Sequence, residues 1–278
     1  EDGGLPLPTF TVASFNFGIE QDMLTGNNRQ KHFANYQRLC AKIFVEADAD
    51  LVFGCEVGAH RKGFSKAGIN VAKILHEPFG EALRCFAVDN YVSIWDRGGA
   101  PQPVHVSLHG NAEILTLSSE RDVVAAIARF DVQIHGHGKV HVITGNLHIV
   151  CGKSPPSVPT RRQTVHLLRR HLNGLCAPDA DQRVVRIIVG DNNLKVEQVR
   201  EALQRETDGE PLWEVFCTPA NLGGDNVAVS GAVATFKSIA VGASYEDRGM
   251  RNDSHDVVAV VLTLPGAAQP EVGSKRKC

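Results

Sequence analysis

The seven cysteines of this chain include no Cys-x-x-Cys pair, and no spacing of Cys and His suits a zinc ion. The twelve histidines therefore carry no zinc signature. Cys40, Cys55 and Cys85 sit in apolar stretches, which suits small reduced hydrophobes in an intracellular protein better than a disulfide framework. No apolar run approaches the roughly 20 residues of a membrane-crossing helix, and no secretory signal opens the chain. The first residue is Glu1 rather than methionine, so the missing signal says little about location. No repeat of fixed period and no linker is visible. A formal net charge of −2 argues against a protein that coats nucleic acid broadly. Aromatic residues make up only 6% and do not interleave with basic ones, so no base-stacking groove stands out.

What the chain does have is a succession of apolar runs and helical stretches at similar spacing from Phe10 to Leu264. With 278 residues, one α/β or α+β domain over 9–264 is the economical reading, with 1–8 and 265–278 as tails. The Pro-rich piece Ser154–Pro159 reads as a loop before a helix. Arg161, Arg162, Arg169, Arg170 and His171 form either a local basic groove or an ordinary solvated helix face. The terminal Gly273–Cys278 is too short to read as a nuclear address.

Four apolar runs end in polar groups suited to chemistry. Arg186–Val189 leads into Gly190-Asp191-Asn192-Asn193; Phe10–Phe15 ends at Asn16; Leu51–Cys55 ends at Glu56; Val140–Thr144 ends in Gly145-Asn146-Leu147-His148. Each run reads as a buried strand with its polar group at the C-terminal end. Helical periodicity follows three of them: Phe33, Tyr36, Leu39, Cys40 and Ile43; then Val165, Leu168 and Leu172; then Val199 and Leu203. Ligand sites gather at such strand ends in open α/β sheets. A carboxylate beside an amide can bind a hard cation and orient a water. Singly, each residue has a plainer reading: Glu56 as a solvated charge, His148 as a hydrogen-bonded core histidine, Asn16 as a turn former. It is their recurrence at equivalent strand ends that points to one site. Arg251–Asp256 precedes the apolar run Val257–Leu264. If that strand runs antiparallel to the others, His255 reaches the same cavity.

These segments resemble the endonuclease/exonuclease/phosphatase superfamily, the deoxyribonuclease-I-like fold. The resemblance rests on Ser14-Phe15-Asn16, Ala49-Asp50-Leu51 through Glu56, Gly145-Asn146-Leu147-His148, Gly190-Asp191-Asn192-Asn193 and Asp253-Ser254-His255, in the family's order. It implies an α/β four-layer sandwich, two packed mixed β-sheets flanked by helices. It also implies Mg²⁺- or Mn²⁺-assisted hydrolysis of a phosphodiester or phosphomonoester. Glu56 would hold the metal with Asn16 beside it. Asp191 would orient or deprotonate the attacking water, and Asn193 would position that water or the phosphate. His148 would touch a non-bridging phosphate oxygen, with Asn146 among the substrate-binding groups. His255 would stabilise the transition state, oriented by Asp225, with Asp247 in reserve. A phosphate-ester substrate is implied, with nuclease activity leading on family breadth and phosphoinositide, deadenylase and sphingomyelinase chemistry sharing the core. Loops such as Gly152–Pro159 and Gly242–Asn252 would choose among them. One departure stands out: Ser254 occupies the place of the family's Asp. On an extended chain a one-residue shift turns a side chain to the other face, so Asp253 does not simply replace it. A catalytically weak or inactive member acting as a binding module is the alternative.

Overall fold

A computed structural model of the chain describes residues 9–17, 43–44, 46–56, 83–88, 91–96, 104–118, 123–135, 138–149, 155–176, 183–218, 224–239 and 257–264. The four apolar runs are strands. They are β1 (Thr9–Asn16), β2 (Leu51–Cys55), β8 (Gly138–Leu147) and β9 (Arg183–Asp191). The run after the His255 segment is β13 (Val258–Thr263). Between them lie β3 (Leu83–Val88), β4 (Tyr91–Asp96), β5 (Val104–Leu108), β6 (Glu113–Ser118) and β7 (Val123–Ile134); then β10 (Glu214–Phe216), β11 (Asp225–Ser230) and β12 (Val233–Ser238). Two helices are complete among the described residues, α1 (Val158–Gly174) and α2 (Val196–Ala202). His255, Ser254 and the reserve Asp247 lie outside the described residues, as do both tails and most of the first helical stretch. Of that stretch Ile43 is described, and it is helical and buried.

The strands form two sheets, in the orders β12-β13-β1-β2-β4-β3 and β10-β11-β9-β8-β7-β5, with β6 also pairing β7. Both sheets are mixed. β1 and β2 run parallel, as do β8 and β9, while the other pairings are antiparallel. β13 is antiparallel to β1, and it begins with Val258 opposite Ser14.

Period-two alternation sorts each strand's side chains into layers. Phe10 and Val12 of β1 and Leu51 and Phe53 of β2 face Phe130, Val142, Ile187 and Val227 of the second sheet. Each fully buried side chain of this kind stabilises the fold by about 1.5–3 kcal/mol. The opposite face of the first sheet packs Phe15 and Val52 against Ile43 and Ala47. The opposite face of the second packs Ile143, Leu147 and Ile188 against Val165, Leu168 and Leu172 of α1 and Val199 of α2. Three apolar layers separate four layers of backbone: the helix-flanked double sheet that the resemblance implies.

Helix α1 starts where its sequence directs. Ser157 adopts extended dihedrals and accepts a hydrogen bond from the Thr160 amide at 3.3 Å, and a proline sits in the first turn. At its other end Arg186 of β9 donates from Nε and Nη2 to the Leu172 and Leu175 carbonyls, each at 2.9 Å. The basic residues of α1 are largely engaged. Arg162 pairs with Glu201 at 3.0 Å. Arg169, 1% exposed, is held by Glu206 and Glu210 at 3.3 and 3.1 Å. Arg161 donates to the Asn193 carbonyl. This face fastens α1 to its neighbours rather than forming an open groove for a phosphate backbone.

Candidate functional site

The alternation that fills the space between the sheets with apolar side chains also decides what ends it. On β1 the inward face runs Phe10, Val12, Ser14, Asn16; on β9 it runs Val185, Ile187, Val189, Asp191. By the same count Cys55 is the last inward residue of β2, Asn146 that of β8, and Asp225 the first of β11. One end of the inter-sheet layer is therefore lined with polar groups. Asn16, Asn146, Asp191 and Asp225 are each at most 3% exposed. Groups buried this deeply must find partners or cost stability.

Asn16, Asp191 and Asn146 find them across the sheets. Asn16 Nδ2 donates to Asp191 Oδ2 at 3.2 Å. Asn146 Nδ2 donates to the Gly54 carbonyl at 3.0 Å. Asp191 and Asp225 stand opposite each other on antiparallel β9 and β11. Asp191 Oδ1 accepts the Asn193 amide at 3.0 Å, closing an Asx turn at the strand end. Gly190 makes that approach possible. Its φ is +114°, and a Cβ there would lie 2.2 Å from the Leu147 carbonyl oxygen and 3.0 Å from Asn146 Oδ1.

Asn193 is held at three points. Its amide meets Asp191, its Nδ2 donates to the Ile149 carbonyl at 2.9 Å, and its own carbonyl accepts from Arg161. Its backbone is left-handed, with φ +52°. Glu56 is left-handed as well, with φ +53°. Such conformations cost of order 1 kcal/mol or more outside glycine and collect at functional sites. Glu56 presents a carboxylate 32% exposed, and its Oε1 lies 3.1 Å from Nε2 of the nearly buried His148. The His148 amide in turn donates to the Tyr91 hydroxyl at 3.1 Å, and that hydroxyl donates to the Val124 carbonyl at 2.8 Å.

One atom reports how tightly these carboxylates gather. Burial first, and then the charges of Asp225, Asp191 and Glu56, push the Cys55 thiol well above the ordinary cysteine range. The buried Cys55 sulfur thus lies within electrostatic reach of all three acids.

Of the sequence-derived candidates, Asn16, Glu56, Asn146, His148, Asp191, Asn193 and Asp225 come together at this end of the molecule; His255 lies outside the described residues. Asn146, expected among the substrate-binding groups, also ties the second sheet to the first through its amide nitrogen. Sequence reasoning passed over Tyr91 and Cys55, though alternation along β4 and β2 turns both inward. It also passed over Asn192, whose Oδ1 accepts from Asn226 Nδ2 at 3.0 Å and fixes the turn to β11.

No protein-family model matches the chain, and no curated protein matches it by sequence. Solved structures do match in three dimensions. An endonuclease/exonuclease/phosphatase family protein from Bacteroides thetaiotaomicron superposes with a TM-score of 0.56 at 12% identity, over 93% of this chain and 99% of that one. The human Nocturnin catalytic domain, crystallised with a sulfate anion, gives 0.58 at 12% identity over 94% and 95%. ANGEL2, a 2′,3′-cyclic phosphatase, in complex with adenosine-2′,3′-vanadate, gives 0.58 at 11% identity over 92% and 96%. The polar end of a four-layer sandwich and these superpositions agree: the chain has the endonuclease/exonuclease/phosphatase fold.

Proposed function

We propose that this protein is a metal-dependent phosphoesterase acting on phosphodiester or phosphomonoester bonds, with nuclease activity the leading reading. The observation that carries it is the bond between Asn16 and Asp191, which joins two of the family-like motifs directly across the sheets. The neighbours support the class of chemistry. ANGEL2 is a cyclic phosphatase, and Nocturnin was crystallised with an anion of phosphate-like shape.

The donor set fits a hard cation. Among the described residues no three Asp, Glu, His or Cys side chains form a ready-made metal cage. Mg²⁺ needs less, since it keeps several waters and takes one or two carboxylates, and Mn²⁺ shares its preference for oxygen. Glu56 offers a partly exposed carboxylate, and Asn16 pairs in register with Cys55, the residue before it. These two would hold the ion, which when bound offsets phosphate charge and lowers the pKa of a coordinated water.

The chain's own groups supply the rest. Asp191, fixed by donors to both carboxylate oxygens, accepts a proton from the attacking water. Asn193, pinned at its main chain, positions that water or the phosphate. His148 donates from its imidazole to a non-bridging oxygen, where negative charge builds. His255, which the resemblance pairs with Asp225, would stabilise the transition state. The setting of Cys55 and Cys85 in apolar strands supports an intracellular reading. A panel of a generic phosphodiester, a phosphomonoester and short single-stranded nucleic acids, assayed with Mg²⁺, Mn²⁺ and chelator, tests the reading. Chelator-sensitive turnover is expected, and its absence on every substrate rejects the reading.

Ser254 favours a second reading, a binding module that keeps the fold without turnover. Calorimetric titration with Mg²⁺ and Mn²⁺ separates the two: no heat of binding supports the module, and restored turnover in Ser254→Asp marks a decayed enzyme.

A further inference from the structure

Glu56 and His148 face each other from different sheets, and neither is held by a strand ladder. Glu56 follows the last residue of β2 with a left-handed backbone, and His148 follows the last residue of β8. The next residue, Ile149, has its amide bonded within its own sheet, to the Asp191 carbonyl at 2.8 Å. The His148 amide instead donates to a side chain of the opposite sheet, the Tyr91 hydroxyl.

Tyr91 is well placed for this. It pairs in register with Cys55, the residue before Glu56. Its ring is 4% exposed and packs with Cys55 and Ala126. Its hydroxyl has one proton to give and lone pairs to receive. It gives the proton to Val124 of β7 and receives the His148 amide from the end of β8. Two hydrogen bonds through one oxygen polarise each other in the same sense. One side chain thus carries the geometry of the Glu56 strand end over to His148.

We infer that Tyr91 is a positioning residue for the proposed reaction: its hydroxyl clamps the His148 main chain and so sets where the His148 imidazole stands against Glu56. This rests on the phosphoesterase reading. Tyr91 touches neither phosphate nor metal in this scheme and acts only through His148.

Tyr91→Phe keeps the ring and removes the clamp. Hydrogen exchange of the His148 amide, read by NMR, is expected to quicken by about tenfold or more while that of Ile149 changes little, because only the first bond is lost. In turnover, kcat is expected to fall by about tenfold with KM within about twofold, since a misplaced imidazole weakens the transition state more than substrate binding. Tyr91→Phe added to His148→Ala is expected to change nothing further. Unchanged His148 exchange, or an equal loss of kcat with and without His148, overturns the inference. Should Tyr91→Phe fail to fold, wild-type exchange decides: a His148 amide exchanging at the rate of an open loop overturns the clamp. Wild-type protein without turnover on any phosphate ester rejects the phosphoesterase reading instead, and the clamp then stands or falls on the exchange data alone.

Discussion

Asn16 Nδ2 and Asp191 Oδ2 meet at 3.2 Å across the layer between the sheets, though 175 residues separate them in sequence. A buried bond to a charged group contributes about 1.5–3 kcal/mol, and leaving the carboxylate without that donor costs a similar amount. Asn16→Ala and Asp191→Ala are therefore expected to be non-additive, with a coupling of about 1.5–3 kcal/mol in a double-mutant cycle followed by urea unfolding. Simple additivity would mean that the two side chains do not interact in solution.

Gly190 is the backbone hinge of the site. Gly190→Ala forces a side chain into φ +114° and sets its Cβ 2.2 Å from the Leu147 carbonyl oxygen. The expected loss is about 2–5 kcal/mol, from strain and overpacking together. Gly174, the last residue of α1, has no left-handed backbone, and a Cβ added there would meet nothing within 4 Å. Gly174→Ala is therefore expected to add about 0.4–1 kcal/mol. Thermal melting of the two variants side by side checks both signs.

A second polar cluster, away from the site, makes stability depend on pH. Asp131 of β7 accepts from His109, His141 and Lys139 at 3.2, 3.0 and 2.8 Å. His141 is fully buried, and no bond to its Nε2 is made among the described residues. Burial, only partly offset by Asp131, holds its pKa below the ordinary 6.5. The unfolded chain then binds a proton at pH values where the folded one does not, so stability falls as pH drops from 6.5 towards the depressed value. Asp131 acts at lower pH. Its carboxyl is held below the ordinary 3.8, burial raising it and its three donors lowering it more, so its contribution is present above 3.8 and lost as pH falls through the depressed value. Between pH 7.5 and 5.5 the unfolding free energy is expected to decline less in His141→Leu than in wild type, as measured by urea titration. Equal declines would assign the pH dependence elsewhere.

The cysteines should separate by reactivity. Cys176 is exposed, Cys85 is pushed by burial to about 11, and burial together with the charges of Asp225, Asp191 and Glu56 holds the Cys55 thiol well above the ordinary range. Brief alkylation of the native protein followed by peptide mapping is expected to modify Cys176 and spare Cys55, which reacts only after unfolding. Modification of native Cys55 would mean that its sulfur is not buried.

Much of this was legible along the chain, because a strand's fate is written in its local period. Apolar runs gave β1, β2, β8, β9 and β13, and the polar residues ending the first four became the lining of one site. Alternation alone turns Asn16, Asp191 and Asp225 to the same side as Phe10, Ile187 and Val227. What stayed hidden depends on how two sheets meet. No local pattern says that Asn146 reaches the Gly54 carbonyl, that Tyr91 reaches His148, or that Cys55 feels the charges of Asp225, Asp191 and Glu56. The arginines of α1 stayed ambiguous for the same reason: spacing shows a basic face, and only tertiary contacts reveal Glu201, Glu206 and Glu210 already against it.

Turnover of a chromogenic phosphodiester across a titration of Mg²⁺ or Mn²⁺ up to saturation, compared between wild type, Glu56→Gln and Asp191→Asn, asks whether these strand ends form a phosphoryl-transfer centre. Each substitution keeps size and removes a charge. Asp191→Asn is expected to lower kcat by about 10²–10⁴-fold through loss of the proton acceptor. Glu56→Gln is expected to raise the metal concentration needed for half-maximal rate. Equal turnover and equal metal dependence in all three folded proteins would contradict the assignment.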